Sequence, residues 1–423
     1  MKYKKTVLPN DMRIITIPLA ESQSAIGMVL VETGSDYESK ELNGLSHFLE
    51  HMCFKGTTNR TGDQIKVEID GMGASANAFT SNEFTGYYAK AHKSKIGKVI
   101  DFVSDIYLNP TFPQKDIDIE RGVIIEEINM YEDLPQQTVV DHWQRLLYPE
   151  TSAGRPTIGP KENILAFNQK EFVAYHDLHY VPAKTVFVVA GNINEKEIIS
   201  QLKKAFAPAI NKKIAKRSKT KFAQTKPQVK VTYKKTDQTH LIVGFRSFDQ
   251  HNRKNYALKV AATILGQGFS SRLFTKMRDE LGMCYYTKAG IDAYTDRGAF
   301  LVRSGVTNAR THEAVEVIMA EYKKILTEDI PPKELKKAKD YMIGNFSIGL
   351  ETSEDVADFF GFQELLHEDI LKPADYVKKI QAVTAADIKK VMKEIMQEKN
   401  LNLALIGPFE EKEAKSFEKL LKI

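Results

Sequence analysis

The mixed polar and apolar positions of residues 3–8, YKKTVL, read as a first strand. A Pro-Asn-Asp turn follows, and the stretch 13–18, rich in Ile and Thr, reads as its partner strand, which predicts a β-hairpin. The same reading places a third strand at 25–33, helices at 45–54 and 65–72, and two strands joined by a polar turn across 74–91. Long 3.6-residue periodicities at 94–107 and 115–130 predict two further helices. Strands mixed with long helices point to an α+β protein.

The pattern then repeats. Residues 186–206 read VFVVAGNINEKEIISQLKKAF and residues 402–423 read NLALIGPFEEKEAKSFEKLLKI: each an apolar strand, a glycine and an amphipathic helix. Gly191 and Gly407 lie 216 positions apart, and the same offset pairs Lys196 with Lys412, Glu197 with Glu413 and, on the preceding helix, Glu171 with Asp387. A match sustained across two elements predicts a duplicated domain. The expected organisation is an N-terminal domain over 1–212, a basic Pro-bounded linker over 213–227 and a related C-terminal domain over 228–423.

Length agrees, since 423 residues exceed what one core usually supports. Net charge is only +5, from 60 basic and 55 acidic residues, which gives no general case for a nucleic-acid or membrane partner. The basic stretch 211–227 that contains the linker holds Lys212, Lys213, Lys216, Arg217, Lys219 and Lys221, but Phe222 is its lone aromatic, so it reads as a solvated connection rather than a single-strand-binding surface. Cys53 and Cys284 cannot build a disulfide framework. No signal-like segment and no run of about 18 apolar residues occurs, and a cytoplasmic location is expected.

The chemistry lies at His47-Phe48-Leu49-Glu50-His51, an H-x-x-E-H motif. On a helix, positions i, i+3 and i+4 share one side, which brings both imidazoles and the carboxylate together. Leu45, Phe48, Leu49 and Met52 form an apolar stripe on the opposite side, with Asn43 as expected N-cap and Gly56 as expected stop. Cys53 points elsewhere and reads as a packing residue. A catalytic zinc takes three protein ligands and keeps a fourth position open, so one ligand must come from elsewhere. In the helix 115–130, Glu120 and Glu127 fall inside a stripe of Ile117, Val123, Ile124 and Ile128, while Glu126 lies at its edge. A carboxylate in an apolar stripe is costly unless paired or bound to a metal, so both Glu120 and Glu127 qualify.

The stretch HFLEHMCFKGT, residues 47–57, resembles the metal helix of the pitrilysin or insulinase zinc peptidases, within them the short, mitochondrial processing peptidase-like branch. The resemblance implies a third ligand at Glu127, an assisting glutamate at Glu120, a substrate-binding edge strand at Asn77-Ala78-Phe79-Thr80, and a substrate-contacting pair, Arg278 and Tyr285, in the second half. It also implies two related domains, each an antiparallel sheet flanked by helices, enclosing a chamber. The implied activity is a metalloendopeptidase with one Zn²⁺ per chain, held by His47, His51 and Glu127. Glu50 is its general base and an extended peptide its substrate; Mn²⁺ or Co²⁺ would suit the same donors. A homodimer is the expected assembly. The rival is a non-catalytic scaffold or partner subunit of the same fold, which would lose the metal motif.

Overall fold

Eleven strands form two sheets, seen in a computed structural model that describes residues 1–212, 214–367 and 369–423. The first sheet contains β1 (Lys4–Val7), β2 (Arg13–Pro18), β3 (Ser24–Val31), β4 (Ser75–Thr80), β5 (Thr85–His92) and β6 (Thr185–Gly191), in the order β1-β2-β6-β3-β5-β4. The second contains β7 (Gln228–Tyr233), β8 (Gln238–Ser247), β9 (Cys284–Ala293), β10 (Gly298–Thr307) and β11 (Leu401–Gly407), in the order β7-β11-β8-β10-β9. Both sheets are mixed, not wholly antiparallel: β2 runs parallel to β6, and β7 to β11. Each parallel pair joins strands far apart in sequence, so no local hairpin signal could reveal it.

The duplication is visible strand by strand. The first sheet without β1 and the second share one order and one set of directions. At the offset of 216, β6 falls on β11 and the helix Gln169–His179 falls on the helix Ala385–Ile395. Both helices open with a capping box, Asn168 with Glu171 and Thr384 with Asp387. The aligned acids are therefore reciprocal caps.

The chain packs as two compact units. One comprises Met1–Asn129, Arg155–Ser218 and Ser347–Lys372; the other comprises Met130–Gly154, Lys219–Phe346 and Pro373–Ile423. The boundaries expected at 212 and 228 thus miss an exchange of two helices. In the first unit, Val29, Val31, Phe187 and Val189 face a core shared with the helices Leu45–Met52, Ile96–Leu108 and Glu195–Phe206. The opposite face, with Ile26, Met28, Leu30, Val186 and Val188, is covered by the helix Ser353–Leu366 through Val356, Ala357 and Phe360. Gly361 permits this close approach, because a Cβ there would lie 2.9 Å from both Leu30 and Val188 side chains. In the second unit the corresponding face of β8, β10 and β11 is covered by the helix Pro135–Leu147 through Val139, Trp143 and Leu147.

Arg217, from the basic stretch, is turned inward and pairs with Asp36 and Glu83, both at 2.7 Å. Lys213, where the linker was expected to begin, lies outside the described residues. Among the described residues no helix is long and apolar enough to cross a membrane.

Candidate metal centre

The helix Leu45–Met52 buries Leu45, Phe48, Leu49 and Met52 completely, which anchors one side of it in the core. Four such side chains contribute roughly 1.5–3 kcal/mol each. Its N-terminus is not capped by Asn43. The chain enters through Gly44 at φ 102°, and the buried Glu38 carboxylate accepts from the Gly44 amide at 2.9 Å, the Ser46 amide at 2.6 Å and Asn43 Nδ2 at 3.0 Å. The acid comes from the loop before the helix, beyond the reach of a local cap rule. The stop is also earlier than Gly56, with Cys53 as C-cap; Cys53 is buried and its thiol lies 3.5 Å from the Tyr87 hydroxyl, a packing role.

The third donor comes from the helix Gln114–Asp133. Ile117, Ile124 and Ile128 are buried as the stripe requires, and Glu126 is exposed. Val123 departs from the expected stripe: it is 50% exposed, because it sits at the margin of the buried arc. Glu127 Oε2 lies 3.7 Å from both His47 Nε2 and His51 Nε2. That is too long for hydrogen bonds. It suits a shared ion, since donors about 2.1 Å from a tetrahedral zinc stand about 3.4 Å apart. One ligand atom from each of the three residues lies within 4.8 Å of the others.

The neighbours set the protonation of these donors. Burial, with the adjacent His51, pushes the His47 imidazole down to about 3, so it is neutral with a lone pair to offer; its Nδ1 is buried without a hydrogen-bond partner. Burial also works against charge on His51, but the bond to Glu120 and the charges of Glu50, Glu120 and Glu127 outweigh it and raise that imidazole. Glu120 Oε1 sits 2.9 Å from His51 Nδ1, and its other oxygen is 2.5 Å from Lys55 Nζ. Burial favours protonation of Glu120, yet these two partners leave its carboxyl below the usual range. A carboxylate on Nδ1 fixes the tautomer that turns the Nε2 lone pair toward Glu127. The donor set, its spacing and this buttress fit a divalent metal of the zinc type.

Glu50 is 9% exposed, and burial raises its carboxyl, opposed by a bond from Thr80 Oγ1 at 2.6 Å. Thr80 ends β4, the edge strand that pairs only with β5. Neither Thr80 nor Lys55 was singled out from sequence for these contacts, and only the fold brings them to Glu50 and Glu120. Asn77 and Ala78 lie on that edge strand, with the Ala78 amide donating to Asn77 Oδ1 at 2.9 Å. The Phe79 ring turns the other way, into Phe84, Tyr88 and Phe362. In the second unit, Arg278 and Tyr285 are brought together: an Arg278 Nη donates to the Tyr285 carbonyl, and the guanidinium lies 5.4 Å from the Tyr285 ring. Tyr285 is 71% exposed.

Residues 13–161 match the family model described as insulinase (peptidase family M16), and residues 166–342 match the model described as the peptidase M16 inactive domain. The chain is 31% identical over 406 residues to the uncharacterized zinc protease YmxG of Bacillus subtilis, covering 96% of this chain and 98% of that one. The chain belongs to the M16 peptidase family. This M16 chain is also 29% identical over 414 residues to the beta subunit of the mitochondrial-processing peptidase of Mus musculus, covering 96% of this chain and 84% of that one. Its fold is that of a protease from Helicobacter pylori, with a TM-score of 0.91 at 22% identity over 96% of this chain and 99% of the other. It is a short form of the M16 architecture, a peptidase domain followed by its inactive relative, and the metal trio falls in the peptidase domain.

Proposed function

We propose that the protein is a zinc-dependent endopeptidase acting on extended peptide segments, with His47, His51 and Glu127 as metal ligands and Glu50 as general base. The observation that carries this reading is the convergence of three donor atoms from two helices beside a buried carboxylate. A scaffold subunit has no use for such a costly cluster. A zinc ion held there supplies Lewis acidity and lowers the pKa of water toward about 7.

The chain's own groups do the rest. Glu50, its carboxyl raised by burial, accepts a proton from the attacking water and returns one to the leaving amine. Thr80 holds that carboxylate in place, and Glu120 positions His51 rather than touching substrate. The free side of β4 can add a substrate strand through main-chain hydrogen bonds, with Asn77, Ala78 and Phe79 contributing backbone. Such pairing tolerates many side chains. Arg278 and Tyr285 are proposed as substrate contacts, with the Tyr285 hydroxyl exposed to serve as a donor.

The test compares native protein with Glu50→Gln. Metal content is measured by mass spectrometry and cleavage on a quenched peptide library. About one zinc per chain, with cleavage lost in a variant that still holds zinc, supports the proposal; a metal-free native protein with no cleavage supports the scaffold reading instead.

A further inference from the structure

In the second unit, the helix Asn255–Gly266, the edge strand β9 and the helix Pro332–Ile348 repeat the setting that the metal helix, β4 and the glutamate-bearing helix form in the first. No metal-ligating trio stands there among the described residues. Instead these elements, with the helix Pro373–Ala382, line a cavity of about 310 Å³ whose contributors include Lys259, Gly290, Ile291, Tyr341, Asn345 and Tyr376. No aspartate or glutamate lines it.

We propose that this cavity binds a carboxylate carrying an apolar group, with Lys259 as its counter-ion. The ammonium of Lys259 lies 5.5 Å from the Tyr376 ring centre and has no carboxylate partner among the described residues. Burial is the one cause acting on that amine, and it lowers it: a desolvated cation with no compensating charge. Lys379 stands against the neighbouring Tyr256 ring at 5.3 Å, which adds positive potential. An anion entering the cavity relieves the cost that the fold otherwise carries.

The walls choose the kind of anion. Ile291, Met342 and the tyrosine rings offer apolar surface, and the Asn345 amide donates to the Tyr341 carbonyl at 2.8 Å, leaving its oxygen free. One ammonium among apolar walls balances a monoanion, whereas a phosphate dianion would leave uncompensated charge in a poorly hydrated space. A Cβ added at Gly290 would meet nothing within 4 Å, so the strand floor is open. Because β9 has a free edge, the carboxylate can be that of a small acid or the C-terminus of a peptide lying along that edge.

The probes are N-acetyl-phenylalanine, N-acetyl-tetraalanyl-phenylalanine and the C-terminal amide of each. They are titrated calorimetrically into the full chain, into Lys259→Met and into Gly290→Val, with probe integrity checked by mass spectrometry. The acids are expected to bind and the amides to bind at least about tenfold more weakly, with Lys259→Met losing that difference. Gly290→Val, which sets a branched side chain on the cavity floor and leaves the lysine, is expected to weaken binding of the acids. Tighter binding of the peptide acid identifies a chain terminus as the ligand, and equal binding identifies a small acid. Undetectable binding of both acids, equal binding of acids and amides, or an undiminished acid preference in Lys259→Met overturns the proposal. Lys259→Met replaces a desolvated cation by an apolar chain of similar length, so its thermal midpoint should not fall. Neither zinc content nor cleavage enters the measurement, so its failure is distinct from failure of the peptidase reading.

Discussion

A general base works only if its carboxylate stays where the water is, and a buried glutamate has few ways to be held. Glu50 has one hydroxyl partner, Thr80 Oγ1 at 2.6 Å. Thr80→Val keeps the shape and removes the donor. The expected result is a fall in kcat/KM of about tenfold, equivalent to about 1.4 kcal/mol, with zinc content unchanged and near-full recovery in Thr80→Ser. Unaltered activity in Thr80→Val would show that the bond does not position the base. The motif residues themselves were legible, because i, i+3, i+4 spacing states their geometry directly. The bond from Thr80 was not, since a hydroxyl 30 positions from Glu50 reaches it only through the pairing of β4 with β5 and the packing of both on the metal helix.

At the scale of elements, the eight-residue metal helix is too short to be stable alone and depends on its buried stripe and on Glu38. Glu38→Ala removes three hydrogen bonds and leaves two helix-entry amides without that acceptor, so a loss of about 2 kcal/mol is expected. Chemical denaturation should report it, together with faster zinc loss to a chelator. The two exchanged helices carry a further signature. Burial pushes Asp141 up to about 6, despite Arg145, and pushes Asp358 up to about 6, helped by Glu354 and Asp355. Each acid therefore holds its proton longer in the folded chain than in the unfolded one, where the value is about 3.9. Their contribution to stability falls as pH rises from about 4 through 6 and is then constant. Asp141→Asn should raise stability at pH 7.5 by about 1–3 kcal/mol, Asp358→Asn by less because solvent screens its more open carboxyl, and both should change it little near pH 4. Equal effects at both pH values would mean that these acids ionise normally. Neither helix was singled out from sequence, and no local signal states which sheet each one covers.

At the scale of the whole molecule, the repeat was legible and the exchange was not. The offset of 216 aligns β6 with β11 and two capping boxes, since those elements keep their length in both halves. Nothing in a strand-Gly-helix echo states that residues 353–366 complete the first sheet's second face while residues 135–147 complete the second sheet's. The consequence is that the halves read from sequence are not the folding units. A fragment of residues 1–212 would lack Val356, Ala357 and Phe360 over Ile26, Met28, Leu30, Val186 and Val188, and would carry Trp143 without its sheet. Each side chain so exposed forfeits roughly 1.5–3 kcal/mol, and the losses together are comparable to the whole stability of a domain. The fragment is therefore expected to bind a hydrophobic dye, to aggregate in size-exclusion chromatography and to melt without a cooperative transition. Co-expression with residues 213–423 should restore a folded complex. A monomeric, dye-negative and cooperatively melting fragment of residues 1–212 would show that the first sheet is stable without the helix Ser353–Leu366, and that the exchange serves some purpose other than covering its apolar face.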